Sequence, residues 1–256
     1  MKNYPITASI IKSYNQKGFI VLKNFLTKKD VKKNKISIKN FLEKKIIKYS
    51  GRDINFINDR KKFENIHSFH RLHDAKFVKK FIKTKKVQNC AKLFLKTSSI
   101  ELRASEYFAK PKYFGLPVPD HQDNYYWNVK KNKALTIWIA LSHSSKKNGG
   151  IYYYTGSHKK GVISHKPSFK KGSSQTIKNI KLLNQFKKVT PELNIGDALI
   201  HSCAIVHGSR KNKGNILRKG WTMQFKDKNT PYDLRKIKKY EKSLLKQIKL
   251  RKKKLR

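Results

Sequence analysis

His121-Gln122-Asp123 places an imidazole and a carboxylate two residues apart. In a strand, residues i and i+2 face the same side, so both could meet one ion at the mouth of a barrel. The tripeptide alone is a weak signal, and a polar strand end without metal accounts for it equally well. A second stretch, Gly196 through Ser209, is largely apolar and ends in His207-Gly208-Ser209. Two neutral imidazoles and one carboxylate on one side of a metal form a facial triad, a set that suits Fe(II) and leaves three positions open. His201 competes with His207 for the third place. It has the same strand parity but lies six residues deeper, roughly 20 Å along a continuous strand, and reads as a core histidine. Arg218 opens the next apolar stretch. The chain has 53 Lys and only 9 Arg, and a planar guanidinium can hold a carboxylate through two parallel bonds. An ordinary surface arginine is the alternative.

Those side chains need a scaffold, and the hydropathy pattern supplies one. Seven short segments rich in Ile, Tyr, Trp and Val lie between Gly, Pro, Asn and Ser: Ile100–Phe108, His121–Val129, Ala134–Leu141, Gly150–Tyr154, Val189–Leu193, Ala198–His207 and Gly220–Phe225. Short strands with turn signals argue for a β-sandwich or barrel. Upstream, Ile6–Tyr14 reads as a short helix ended by Gly18, and Phe19–Leu22 as a strand. Thr27 offers an N-cap with Asp30 in the first turn of the next helix. Residues 51–73 are polar and broken, and a long helix is expected from about Ala75 to Leu95. Tyr232–Arg256 reads as a basic amphipathic helix carrying twelve Lys and Arg, packed on the barrel with a frayed tail or, as the alternative, docking on a membrane or a partner. The polar stretch Lys166–Thr176 reads as a lid loop. These parts make one domain over 1–256: helical support over about 1–97, barrel core over about 98–228, and a C-terminal helix over about 232–256.

With 62 Lys+Arg against 15 Asp+Glu, the formal net charge is +47. That invites a nucleic-acid reading, but the charge is evenly spread, 29 basic residues in 1–128 and 33 in 129–256. It is also carried by Lys rather than Arg. Compositional drift on solvated surfaces accounts for it, and no specific nucleic-acid partner is expected. Two cysteines exclude a disulfide scaffold. No stretch approaches the ~20 apolar residues of a membrane span. A soluble, cytoplasmic protein is expected.

Taken in order, the pieces resemble the phytanoyl-CoA dioxygenase family of Fe(II)/2-oxoglutarate oxygenases. Gly18 to Leu26 looks like the family's N-terminal strand, and His121-Gln122-Asp123 like its metal motif. Trp138 stands in the strand after it. Asn148-Gly149-Gly150 through Gly156-Ser157-His158 to Gly161 looks like its hairpin, and His207-Gly208-Ser209 with Arg218 like its distal motif. The resemblance covers most of the chain. It implies a mainly β fold with flanking helices, a double-stranded β-helix of the jelly-roll, cupin-like kind. It also implies iron bound by His121, Asp123 and His207, with no catalytic residue beyond these ligands. Arg218 and Ser209 would hold the distal carboxylate of the cosubstrate 2-oxoglutarate, Trp138 would line that pocket, and O₂ would complete the reaction, hydroxylation of a C–H bond. Relatives that halogenate lose the carboxylate that Asp123 retains here, so halogenation is disfavoured. His158 reads as structural or near the substrate, and His165 has no assigned role. The family's further basic cosubstrate contact cannot be matched to one residue of His67-Ser68-Phe69-His70-Arg71. Tyr125, Tyr126 and Trp127 could wall the pocket. The substrate, a small molecule or an acyl compound, is not readable, and the basic surface favours an acidic one only weakly. Two readings stay open beside this one: a metal-binding barrel that does not use 2-oxoglutarate, and a nucleic-acid-binding protein.

Overall fold

The computed structural model describes residues 3–49, 53–58, 60–113, 115–170 and 173–253. Helix α1 (Ala8–Lys17) is capped by the Thr7 hydroxyl and stopped by Gly18 at φ 82°, a left-handed conformation that suits glycine. Strand β1 (Phe19–Leu22) leads to α2 (Lys28–Lys45), whose N-terminus is closed by the Thr27 side chain accepting from the Asp30 amide. The stretch expected to be broken supplies two strands, β2 (Ile54–Phe56) and β3 (Ile66–Phe69). The single long helix expected from Ala75 to Leu95 is two, α3 (Lys76–Phe81) and α4 (Lys85–Leu95), with Thr84 beginning the second in an extended conformation.

The remaining elements form the barrel. They are β4 (Ile100–Lys110), β5 (Val118–His121), α5 (Asp123–Trp127), β6 (Ala134–Ala140), β7 (Ile151–Tyr154), β8 (His165–Lys170), β9 (Ser173–Ile177), β10 (Lys188–Val189), β11 (Ala198–Ser202), β12 (His207–Ser209) and β13 (Arg218–Asp227). Helix α6 (Leu234–Lys253) follows; the last residues of the expected basic tail, 254–256, lie outside the described residues. Two sheets carry the fold, one in the order β1-β11-β6-β13-β4-β3-β2 and one in the order β10-β7-β12-β5, with β8 and β9 as a separate hairpin. All the pairings are antiparallel. This is the jelly-roll expected from the sequence. The strand expected over His121–Val129 is not formed: β5 ends at His121 and the chain turns into helix α5; β10 covers only two residues, and Ala198–His207 is broken between β11 and β12.

Strand β6, in the interior of the large sheet, is buried on both faces, which explains an apolar run interrupted only by Thr136. Leu135, Ile137 and Ile139 of β6 face the helices with Ile200 of β11 and Trp221, Met223 and Phe225 of β13, packing on Val87, Cys90 and Phe94 of α4. The alternate residues, Thr136 and Trp138 of β6, Leu199 and His201 of β11, and Thr222 and Gln224 of β13, point inward. That alternation builds the site.

Candidate metal centre

His121, Asp123 and His207 each offer a ligand atom, and these atoms lie within 4.8 Å of one another. The route by which they meet differs from the expected one. His121 is the last residue of β5, and Asp123 is the first residue of α5, so the two are juxtaposed by a strand-to-helix turn and not by strand alternation. Gln122 between them points away and ties that turn down. Its amide group donates to the carbonyls of Gly161 and Ala204, and its oxygen accepts from the Ile163 amide. His207 begins β12 and pairs directly with His121 across the small sheet, their ring centroids 4.3 Å apart.

Hydrogen bonds fix both imidazoles for ligation. Nδ1 of His121 donates to the Pro119 carbonyl at 2.8 Å and Nδ1 of His207 to the Ile205 carbonyl at 3.0 Å. The proton on Nδ1 leaves each Nε2 with a free lone pair. Both Nε2 atoms sit 3.7 Å from the same oxygen, Oδ1 of Asp123. Burial, with the neighbouring His121, pushes the His207 pKa down to about 3, so the ring is neutral at pH 7. Burial alone would raise the Asp123 carboxyl, but His207, His121 and His201 together hold it well below the usual carboxylate range.

His201 is the buried, hydrogen-bonded histidine expected, but it does not lie where a continuous strand would put it. It was expected roughly 20 Å from His207, yet their ring centroids are 4.8 Å apart. The chain turns at Cys203–Val206 and passes from the large sheet to the small one, so six residues bring it back instead of carrying it on. His201 donates from Nε2 to Oδ2 of Asp123 at 3.1 Å, and its Nδ1 accepts from the Tyr153 hydroxyl at 2.9 Å. Thr136 donates to the same Oδ2 at 3.0 Å. Oδ2 is therefore occupied, and Oδ1 alone faces the Nε2 atoms of His121 and His207. No motif announced Thr136 or Tyr153, although the inward parity of β6 could have suggested the threonine.

His121, Asp123, Thr136, His201 and His207 line a cavity of about 850 Å³ that is also lined by Arg218, Ser209 and Trp138. Arg218, 4% exposed, lies with its guanidinium carbon 5.4 Å from the Trp138 ring centroid. Its Nε has no hydrogen-bond partner among the described residues, and burial lowers its pKa to about 10. Gly220 makes room for this arrangement, since a Cβ there would stand 2.0 Å from the Trp138 ring. Of the stretch 67–71, His70 reaches the cavity wall. His67 binds the Ala109 carbonyl instead. The buried cation beside Arg218 is Lys110, which donates to the Arg210 carbonyl at 2.6 Å and whose pKa burial, then Arg218, lowers to about 6.

The other aromatic and histidine expectations divide. Tyr126 and Trp127 line the cavity, while Tyr125 stacks on His165 at 4.1 Å. His165, assigned no role, accepts the Gln122 amide and so braces the turn between His121 and Asp123. His158 anchors α1 through the Asn15 carbonyl. The stretch expected as a lid loop is the β8–β9 hairpin, and Ser173 and Ser174 from it reach the cavity together with Tyr240, Leu244 and Ile248 of α6.

A 27% identical stretch of 117 residues is shared with the peroxisomal phytanoyl-CoA dioxygenase of Bos taurus, covering 44% of this chain and 35% of that protein. The aligned part thus spans about a third of the relative's length. Among solved structures, EctD from S. alaskensis with bound Fe superposes with a TM-score of 0.73 at 17% identity, over 91% of this chain and 81% of that one. The same enzyme with 2-oxoglutarate and 5-hydroxyectoine gives 0.72 at 18% identity, over 91% and 80%. Likeness at that identity speaks for the fold. The family itself is shown by its own sequence model, phytanoyl-CoA dioxygenase (PhyH), which matches residues 14–220, and the chain belongs to the phytanoyl-CoA dioxygenase family.

Proposed function

We propose that this protein is an Fe(II)- and 2-oxoglutarate-dependent dioxygenase that hydroxylates a C–H bond of a small-molecule or acyl substrate, and that 1–256 act as one oxygenase domain. The observation that carries the reading is the pairing, in one cavity, of the His121–Asp123–His207 donor set with a buried guanidinium that has no counterion among the described residues. The donor set has the composition of a facial triad for Fe(II), and both imidazoles have the tautomer a metal requires. An isolated buried charge is very costly, and a carboxylate brought in by a ligand would relieve it at Arg218.

Iron with 2-oxoglutarate and O₂ supplies the oxidising chemistry. The chain supplies position and exclusion of water. His121, Asp123 and His207 hold the metal from one side, and Thr136 and His201 restrict Asp123 to one oxygen. Arg218 neutralises the distal carboxylate of 2-oxoglutarate with a bidentate contact, Ser209 adds a hydroxyl, and Trp138 packs over the guanidinium. The β8–β9 hairpin and α6 wall the cavity on the substrate side.

The test is anaerobic calorimetric titration of 2-oxoglutarate into the Fe(II)-loaded protein. Truncating one partner of a buried charge pair typically costs about 2–5 kcal/mol. Arg218→Ala should therefore weaken 2-oxoglutarate roughly 30-fold to several thousand-fold while leaving Fe(II) affinity nearly unchanged. Arg218→Lys should restore part of the loss, because a point charge cannot make both parallel bonds. If Arg218→Ala binds 2-oxoglutarate as the parent does, a metal-binding barrel without this cosubstrate is the better account.

A further inference from the structure

The cavity wall carries a second guanidinium that the chemistry above leaves unused. Strand β4 pairs with β13 from Arg218↔Lys110 to Gln224↔Ala104, and the ladder then resumes at Phe225↔Leu102. Arg103 is the extra residue of this bulge. The bulge inverts the strand's parity: Tyr107 and Ala109 face the helical core on one side of it, and Leu102 and Ile100 face that core on the other. Without the inversion Arg103 would share the parity of Tyr107 and point at the helices. With it, Arg103 turns into the cavity beside Glu106. Bulges next to a site re-aim side chains at the expense of ladder hydrogen bonds, and this one delivers a cation to an interior wall.

The guanidinium is held from two directions. Its carbon lies 4.8 Å from the Trp127 ring centroid, and Nη1 donates to Gln224 Oε1 at 2.8 Å. The Gln224 amide donates in turn to Glu106 Oε2 at 2.6 Å, and Glu106 Oε1 accepts from His70 at 2.7 Å. Both Glu106 oxygens are thus hydrogen-bonded, and the acid acts on Arg103 through space and through the Gln224 amide, without a direct ion pair. Arg103 makes no ion pair among the described residues. A guanidinium has five N–H donors, and Gln224 takes one.

This guanidinium and that of Arg218 cannot serve one carboxylate. Arg218 and Gln224 are six residues apart on β13, roughly 20 Å along a strand. Thr136, which donates to Asp123, pairs with Gln224, so Arg103 stands at the end of the cavity nearer that metal donor. Apolar side chains of α6, Leu244, Leu245 and Ile248, line the same cavity.

We propose that Arg103 binds the carboxylate of the substrate, which is therefore a monoanionic organic acid with an apolar body lying against α6. Calling the ligand a substrate rests on the oxygenase reading; the subsite itself does not. One guanidinium with Glu106 close behind it suits a single negative charge. The other uncommitted cation on the wall, Lys170, belongs to an exposed part of β8.

The experiment uses the full chain loaded anaerobically with Fe(II) and saturating 2-oxoglutarate, so that Arg218 is already engaged. Straight-chain carboxylates from hexanoate to decanoate, each with its primary amide, are titrated calorimetrically at physiological salt, which screens the surface lysines. The parent should bind at least one of these acids. Arg103→Gln should weaken that acid roughly 30-fold or more and leave its amide within threefold. Arg103→Lys should fall between, and it carries the test if the glutamine variant does not fold. Titration of 2-oxoglutarate into Fe(II)-loaded Arg103→Gln should match the parent. Absence of 2-oxoglutarate binding by the parent would remove the oxygenase reading while leaving an Arg103-dependent acid site standing. Normal 2-oxoglutarate binding, with no acid bound or with parent and Arg103→Gln binding the acid alike, would overturn the assignment of Arg103.

Discussion

Asp123 can present a single oxygen to two imidazoles because its other oxygen is already taken by Thr136 and His201. Residues that orient metal ligands typically contribute 10–100-fold to metal affinity when removed. His201→Leu takes away one donor to Oδ2 and strands the Tyr153 hydroxyl, which would lose its 2.9 Å acceptor in a buried setting. Competition titration should show Fe(II) affinity lowered about 10–100-fold. His201→Gln, whose amide can still donate toward Asp123, should recover part of the loss. Equal affinities for leucine, glutamine and parent would show that Thr136 alone suffices to hold the carboxylate.

Among the elements, β6 and β13 set the depth of the site. They pair with Gly220 opposite Ala140 and Thr222 opposite Trp138. The indole lies across the glycine because no Cβ stands there, and the same indole then supports Arg218. Gly220→Ala would force the ring out of its place. Overpacking of a tight interior typically costs about 1–3 kcal/mol, and here it would also misplace the surface under the guanidinium. The urea midpoint should fall accordingly, and 2-oxoglutarate affinity should fall with it. An alanine variant as stable as the parent, with unchanged cosubstrate affinity, would show that Trp138 has a second seat. The bulge in β4 is the same kind of device used in the opposite sense: an inserted residue, where Gly220 is a deleted side chain, brings Arg103 inward.

For the whole molecule, the charge is a surface property and the site is an interior one. Most of the 62 basic side chains cannot be matched by 15 acidic ones. Those that are buried have specific partners or specific tasks, as with Lys226, which donates to the carbonyls of Asp227, Lys228 and Thr230. Among the described residues, no helix is long and apolar enough to cross a membrane. A lysine-coated surface should attract duplex DNA as a polyelectrolyte does. Filter binding should show affinity falling by orders of magnitude between about 50 and 200 mM salt, with no sequence preference. Tight, selective binding above about 200 mM salt would mean that the lysines form a reading surface.

What the sequence alone determined was local. Gly18 ends a helix because a left-handed turn needs no Cβ, Thr27 begins one because its hydroxyl satisfies an amide, and β6 is almost wholly apolar because both its faces are buried. His121, Asp123, His207 and Arg218 could be singled out because side-chain chemistry is carried by residue type, and the family resemblance added Ser209 and Trp138 and the preference for His207 over His201. The tertiary structure alone decided how they meet. The break after Ser202 that folds His201 against Asp123 depends on which sheet each half of the segment joins, and that choice is made by distant strands. The same holds for β2 and β3, polar stretches that become strands because β4 offers β3 an unpaired edge and β3 in turn pairs with β2. It holds most clearly for Arg103, whose direction depends on one residue of slippage between β4 and β13. Period-2 alternation assumes an unbroken register, and register is settled by cross-strand pairing between residues more than a hundred positions apart.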